Sequence, residues 1–238
     1  MKNNLKPLLL IAALSAPFSL YALQQEVEGK AELSNERSAE LSQEKADNDK
    51  VELGLAKQIL MARLAKFDHF SADFSQQVID EEKNILQQGQ GKLAVQKPNL
   101  VYWQTEQPEE SLIVSDGKTL WFFNPFIEQA TAYPVDASVA NTPILLLTST
   151  DETLWQQYSI SQQGDDDYLI HANDENARVK TLELNFISDS AKLQSFSILD
   201  STGQLSVFKL QNVSLIDEIA ASKFTFVVPE GVYLDDQR

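Results

Sequence analysis

The 238-residue chain contains no cysteine. Disulfides are therefore excluded, whatever the redox state of its compartment. A lipid anchor of the bacterial type is excluded too, because that anchor is carried on a Cys directly after the signal peptide. Histidine is nearly absent: His69 and His171 are the only two. A zinc site would have to recruit both of them plus carboxylates, across about a hundred residues. There is no Gly-x-Ser-x-Gly elbow and no glycine-rich phosphate loop. A Ser-His-Asp set assembled only by the fold stays open at this level, since such groups need not be near in sequence. No apolar run reaches the roughly 20 residues that span a bilayer. Basic residues are scarce as well, with 19 Lys and Arg against 35 Asp and Glu. So acidic a surface repels nucleic acid and anionic membrane faces, and a nucleic-acid partner is not expected.

The N-terminus has the pattern of a secretory signal peptide over residues 1–22. Lys2 and Lys6 precede the apolar run Leu8 to Leu14, and small residues lead to a cleavage point near Ala22. Removal of these residues leaves 17 basic and 35 acidic side chains, a net charge of −18. The expected product is exported, soluble and periplasmic. Residues 23–50 are polar, with eight acids, four bases and no aromatic residue. Glu28, Glu32, Glu36, Glu40 and Glu44 would form one like-charged helical stripe, which is destabilising. A disordered extension is the expectation there, with an interaction helix as the minority reading.

A folded domain is expected over 51–238. Val51, Leu55, Ile59 and Phe67, with Leu60 and Leu64 beside them, recur at helical spacing. Strand signals dominate afterwards. Phe70, Ala72 and Phe74 alternate with polar residues. Gly89 and Gly91 suggest a bend, a bulge or a close backbone approach. Asp116-Gly117 fits a two-residue hairpin loop. Thr142-Pro143 suits a helix start, and Ile144 to Leu147 is apolar all round, which demands burial on several sides or contact with a ligand. A second short helical piece is expected in 151–157. The acid runs Glu81-Glu82, Glu109-Glu110 and Asp165-Asp166-Asp167 read as solvated turns. The total is about 10–11 antiparallel strands with one N-terminal helix and short central helices. One helix cannot shield so many strands, so the sheet must close on itself, pack on a second sheet, or hold a ligand. Aromatic residues crowd 97–129, which holds two of the three Trp and three Phe. They fit either an ordinary core or the wall of an apolar container.

Several blocks carry a family resemblance. The stretch KPNLVYWQTEQPEESLIVSDGKTLWFFNPFIEQAT at 97–131, NTP at 141–143, FSADFSQ at 70–76 and KFTFVVPEGVYLDDQR at 223–238 occur in order. Together they resemble the LolA family of periplasmic outer-membrane lipoprotein carriers. The resemblance implies a mainly β fold, an open, unclosed antiparallel β-barrel lidded by the N-terminal helix and the short helices near 143–157. It implies a monomeric chaperone without cofactor or catalysis. Such a chaperone takes the acyl chains of lipoproteins from an inner-membrane ABC transporter and delivers them to an outer-membrane receptor. A carrier of another envelope lipid or glycolipid on the same fold is the alternative. Alternation assigns the cavity wall to Phe70, Phe74, Val101, Trp103, Leu112, Val114, Trp121 and Phe123, and the lid to Ile59, Ile144, Leu145 and Leu147. The resemblance also implies a lid latch before the Pro-Asn pair. There the family has an Arg that bonds lid backbone carbonyls, and this chain has Lys97. Lys keeps the charge but lacks the planar five-donor fork, so a weaker latch onto the 143–148 segment is expected.

Overall fold

The computed structural model describes residues 51–138 and 142–238, together with residues 37, 42–45, 48 and 50. The signal-peptide assignment lies outside the described residues, as does most of the 23–50 extension. The few extension residues that are described are helical and exposed.

In the unit beginning at Val51, helix α1 covers residues 51–64. It buries Ala56, Leu60, Leu64 and, just past its end, Phe67. These sit one above another at i, i+4 and i+8 on one helical face. The chain then enters a sheet of twelve strands, not the ten or eleven expected. These are β1 (His69–Ile79), β2 (Ile85–Gln96), β3 (Leu100–Gln107), β4 (Ser111–Asp116), β5 (Thr119–Asn124), β6 (Gln129–Pro134), β7 (Tyr158–Gln162), β8 (Asp167–Ala172), β9 (Val179–Phe186), β10 (Leu193–Asp200), β11 (Leu205–Ser214) and β12 (Tyr233–Asp236). Three short helices, α2 (Val135–Ser138), α3 (Pro143–Thr148) and α4 (Glu152–Trp155), lie between β6 and β7. A 3-10 turn, Ala221–Phe224, precedes β12. Among the described residues no helix is long and apolar enough to cross a membrane.

The strand order is β12-β6-β5-β4-β3-β2-β1-β11-β10-β9-β8-β7, so the sheet has two free edges and is not closed. All pairings are antiparallel except β12 on β6. That parallel strand is the additional one, because a short edge strand returning from a distant segment has no hairpin signal. The sheet is strongly curled. Trp103 on β3 and Phe196 on β10 are four inter-strand steps apart, roughly 19 Å along a flat sheet. Their ring centroids are nevertheless 5.9 Å apart.

Local chemistry sets several of these features. At Gly91 a Cβ would lie 1.9 Å from the Gln104 carbonyl oxygen and 2.7 Å from Phe74 Cζ. The β2–β3 register also shifts between Gln90 and Gly91, so both the bulge and the close approach are present. The β4–β5 loop is Gly117-Lys118, one residue later than the sequence suggested, because Asp116 still pairs with Leu100 on β3 and its Oδ1 accepts from the Lys118 and Thr119 amides. Thr142 precedes α3 but makes no side-chain cap, whereas Asp151 caps α4 by accepting from the Thr153 amide.

Candidate functional site

The curled sheet has two chemically different faces, and pairing register identifies them. Trp103, Ile113 and Phe122 are successive cross-strand partners. They share a face with Phe70, Phe74, Leu93, Val95, Val101 and Leu120. This is the face that α1, α3 and α4 cover, and together they form the main apolar cluster. At its centre four rings from four strands interlock. Phe196 stacks on Phe208 at 4.6 Å, and Trp103 meets Phe208 at 5.0 Å and Phe74 at 5.1 Å. Gly91 is the β2 partner of Phe74, and its missing side chain leaves room for the Phe74 ring, which a Cβ there would approach to 2.7 Å.

The lid elements fill the space above. Ile144, Leu145, Leu146 and Leu147 are all buried, the first of the two outcomes that an all-round apolar run allows, and so is Trp155 of α4. Lid and sheet thus bury their apolar faces in one another.

Polar ties hold this arrangement. Lys97 Nζ donates to the carbonyls of Leu64 at 2.7 Å and Phe67 at 2.9 Å, and lies 4.8 Å from the Phe67 ring centroid. Burial lowers the Lys97 pKa, partly opposed by nearby Asp68. The family resemblance pointed to the 143–148 segment as the partner. The geometry differs: Lys97 grips the end of α1, while the backbone amide of Asn99, two residues on, donates to the Thr148 carbonyl at the end of α3. One turn therefore touches both lid elements through different groups.

At the opposite side of α1, Arg63 is only 9% exposed. Its Nε donates to the Ser190 carbonyl, and its Nη2 donates to Asp166 Oδ1 at 2.6 Å and to the Ile187 carbonyl. Its guanidinium also lies over the Phe186 ring. Asp166 was expected to be a solvated turn residue. It is instead an anchor, its carboxyl held below the usual range by the Arg63 hydrogen bond. Lys57 Nζ completes the set by donating to the Trp155 carbonyl.

Several expected site residues are placed otherwise. Phe70, Phe74, Val101 and Trp103 are on the lidded face. Leu112, Val114, Trp121 and Phe123 are on the other face, since Val114 pairs with Tyr102 and Trp121, and Leu112 with Phe123. There the C-terminal segment meets Trp121 and Phe123, with the Phe226 ring 5.4 Å from the first and 5.5 Å from the second. A shift of one residue moves a whole strand to the other face, and Ile113, Leu120 and Phe122 occupy the positions assigned to their neighbours. Of the residues assigned to the lid, Ile144, Leu145 and Leu147 are buried, whereas Ile59 is 39% exposed and its neighbour Leu60 is buried instead. Phe196, Phe208, Leu146 and Trp155 were not among the residues assigned to the site, although Leu146 lies inside the apolar run and Trp155 inside the helical piece expected at 151–157.

His69 and His171 do not meet a shared acid. His171 is exposed, with Nδ1 against the Lys180 carbonyl. Among the described residues no group of three or more His, Cys, Asp or Glu could hold a metal ion.

The family profile described as "Outer membrane lipoprotein carrier protein LolA" matches residues 65–227, more than half of the chain. An outer-membrane lipoprotein carrier protein of Photorhabdus laumondii is 42% identical over 183 residues, covering 77% of this chain and 89% of that protein. A protein of the same description from Yersinia pestis is 41% identical over 181 residues, covering 75% and 87%. Among solved structures, a LolA superfamily protein from Nitrosomonas europaea aligns with a TM-score of 0.46 at 12% identity, covering 72% of this chain and 97% of that one.

Proposed function

The chain belongs to the LolA family of outer membrane lipoprotein carrier proteins, and from that premise we propose how its lidded sheet performs lipoprotein transport. It is a lipoprotein carrier. Acyl chains of the cargo lie against the face formed by Phe74, Trp103, Phe122, Phe196 and Phe208 once the lid elements lift. The observation that carries this reading is the apolar seam itself, in which every residue of α3 from Ile144 to Leu147 is buried against a curled aromatic wall.

Energetics explain why such a seam is needed. Each buried CH₂ contributes about 0.8 kcal/mol, so an acyl chain of about 15 carbons contributes on the order of 12 kcal/mol. Unassisted exit of several chains into water is correspondingly slow, and a dry wall removes that barrier. The same wall must release its cargo. A closed empty state that buries lid against sheet competes with the loaded state and lowers the apparent affinity. The Lys97, Asn99, Arg63 and Lys57 ties set how strongly it competes.

The cargo is taken from an inner-membrane ABC transporter and passed to an outer-membrane receptor, in the periplasm, after residues 1–22 are removed near Ala22. Residues 23–50 serve as an extension to a monomeric carrier domain at 51–238. The chemistry is binding and handover, without catalysis or cofactor. Depletion of the protein followed by tracking of outer-membrane lipoproteins tests the role, and unaltered localisation in a strain without a second carrier would contradict it. Mass spectrometry of co-purified ligand separates the two cargo readings. Triacylated lipoprotein supports lipoprotein transport, and free lipid or glycolipid supports the alternative.

A further inference from the structure

Buried polar side-chain atoms nearly always have a hydrogen-bond partner. Among the described residues, Trp155 Nε1, Asn99 Oδ1 and His69 Nε2 are buried without one. They are not scattered. Trp155 is the last residue of α4. Asn99 is the residue whose amide holds the end of α3. His69 opens β1 directly after the turn that follows α1. All three lie where a lid element joins the sheet.

Trp155 is the most deeply placed of them. It is 1% exposed and belongs to the apolar cluster that lids and sheet share. Its backbone carbonyl is engaged by Lys57 Nζ at 2.8 Å, so α4 is held in place. The indole N–H, by contrast, is a donor without an acceptor. Indole donates only, so an acceptor must come to it. An apolar wall cannot distinguish one greasy chain from another, and a buried lone donor can.

We infer that the Trp155 indole N–H is a cargo-reading group, which donates to a carbonyl of the ester or amide that joins an acyl chain to its head when the lid lifts. The inference rests on the carrier reading above and adds a polar contact to it. The contact favours loading. Before loading, the closed state carries an unpaired donor. On loading, one hydrogen bond is gained that a bare hydrocarbon cannot supply.

The test compares two probes on the full chain, a synthetic triacylated cysteinyl peptide and the hydrocarbon dye diphenylhexatriene. Trp155→Phe keeps an aromatic ring and deletes the N–H. Replacement of the same residue by benzothienylalanine deletes only the N–H and keeps the ring volume, which controls for packing. Each change is expected to weaken lipopeptide binding about fivefold to tenfold, the worth of one net hydrogen bond. Dye binding should be unchanged with benzothienylalanine, and the melting temperature of the empty protein should not fall. Lipopeptide affinity unaltered by benzothienylalanine would overturn the inference while leaving the carrier reading intact. So would an equal loss for both probes. A lower melting temperature with unaltered lipopeptide binding would show that the N–H serves the empty fold, through a buried water, and would overturn it as well. Failure of the unaltered protein to bind the lipopeptide would instead overturn the carrier reading, and this inference with it.

Discussion

Replacing Lys97 by Leu should make the protein hold its cargo more tightly and hand it over more slowly. In the closed form the ammonium donates to two backbone carbonyls at the end of α1, those of Leu64 and Phe67. A hydrogen bond to a charged group is worth about 1.5–3 kcal/mol. Lys97 is half-buried and its charge is penalised by that burial, so about 2 kcal/mol for the pair is a fairer figure than the sum. When the lid opens, water satisfies both the ammonium and the carbonyls, so the loss falls on the closed form alone. At 1.36 kcal/mol per factor of ten, the closed-to-open ratio falls about 30-fold. Cargo binds only the open form, so its apparent dissociation constant falls by up to that factor while the closed form dominates. Lys97→Arg should act in the opposite sense, because the guanidinium fork offers more donors to the same carbonyls. The assay is titration with a fluorescent triacylated peptide, paired with the rate of its transfer to lipid vesicles or to a receptor. Equal affinity and equal transfer rate for Lys97→Leu and the unaltered protein would refute the latch.

The second anchor of α1 should be sensitive to acid. Arg63 holds the Asp166 carboxyl below its ordinary value of 3.8, so the pair's stabilising contribution is present above that pH. It is lost as pH falls through the lower, folded-state value. Protection of the α1 amides, taken relative to their intrinsic exchange rate at each pH, should therefore fall at acid pH in the unaltered protein, and Asp166→Asn should show the lower protection already at pH 7. Equal exchange in the two proteins at pH 7 would remove Asp166 from the anchor. Gly91→Ala should destabilise the fold by more than about 3 kcal/mol, since the new Cβ would overlap the Gln104 backbone oxygen. Thermal unfolding should show a drop of roughly 6–12 °C or more for a domain of this size, and a drop of only a degree or two would mean that β2 and β3 separate easily.

The legible parts of this fold were those in which one face is apolar and the other polar. Phe70, Ala72 and Phe74 alternate cleanly with Ser71, Asp73 and Ser75, and β1 lies with the apolar set inward. The run Ile144 to Leu147 called for burial on several sides or contact with a ligand, and all four residues are buried. β4 and β5 resisted because Leu120, Trp121, Phe122 and Phe123 are apolar without alternation. Both faces of that strand are covered, one by the lids and one by Phe226 more than a hundred residues later. No local pattern reveals which face is which. Helix α1 misled for a related reason. It carries two apolar ridges, and the bulkier one at Val51, Leu55 and Ile59 is exposed, while the buried one begins with the small Ala56. Arg63 and Asp166 looked like ordinary surface charges because their pairing depends on a sequence separation of 103 residues. The Lys97 position was visible as a departure from its family, but its partner carbonyls were not, since backbone atoms leave no trace in a sequence pattern.

Phe122 and Phe123 are neighbours in sequence, and the proposed path of the cargo separates them completely. Phe122 pairs with Ile113 on the lidded face, and Phe123 pairs with Leu112 beneath Phe226. A photo-reactive phenylalanine placed at each position in turn, loaded with a triacylated peptide and irradiated, reads directly where the acyl chains lie. Crosslinking to the acyl chains at 122 and not at 123 is the predicted result. Equal crosslinking at both positions, or crosslinking at 123 alone, would contradict a cargo held between the lids and the aromatic face of the sheet.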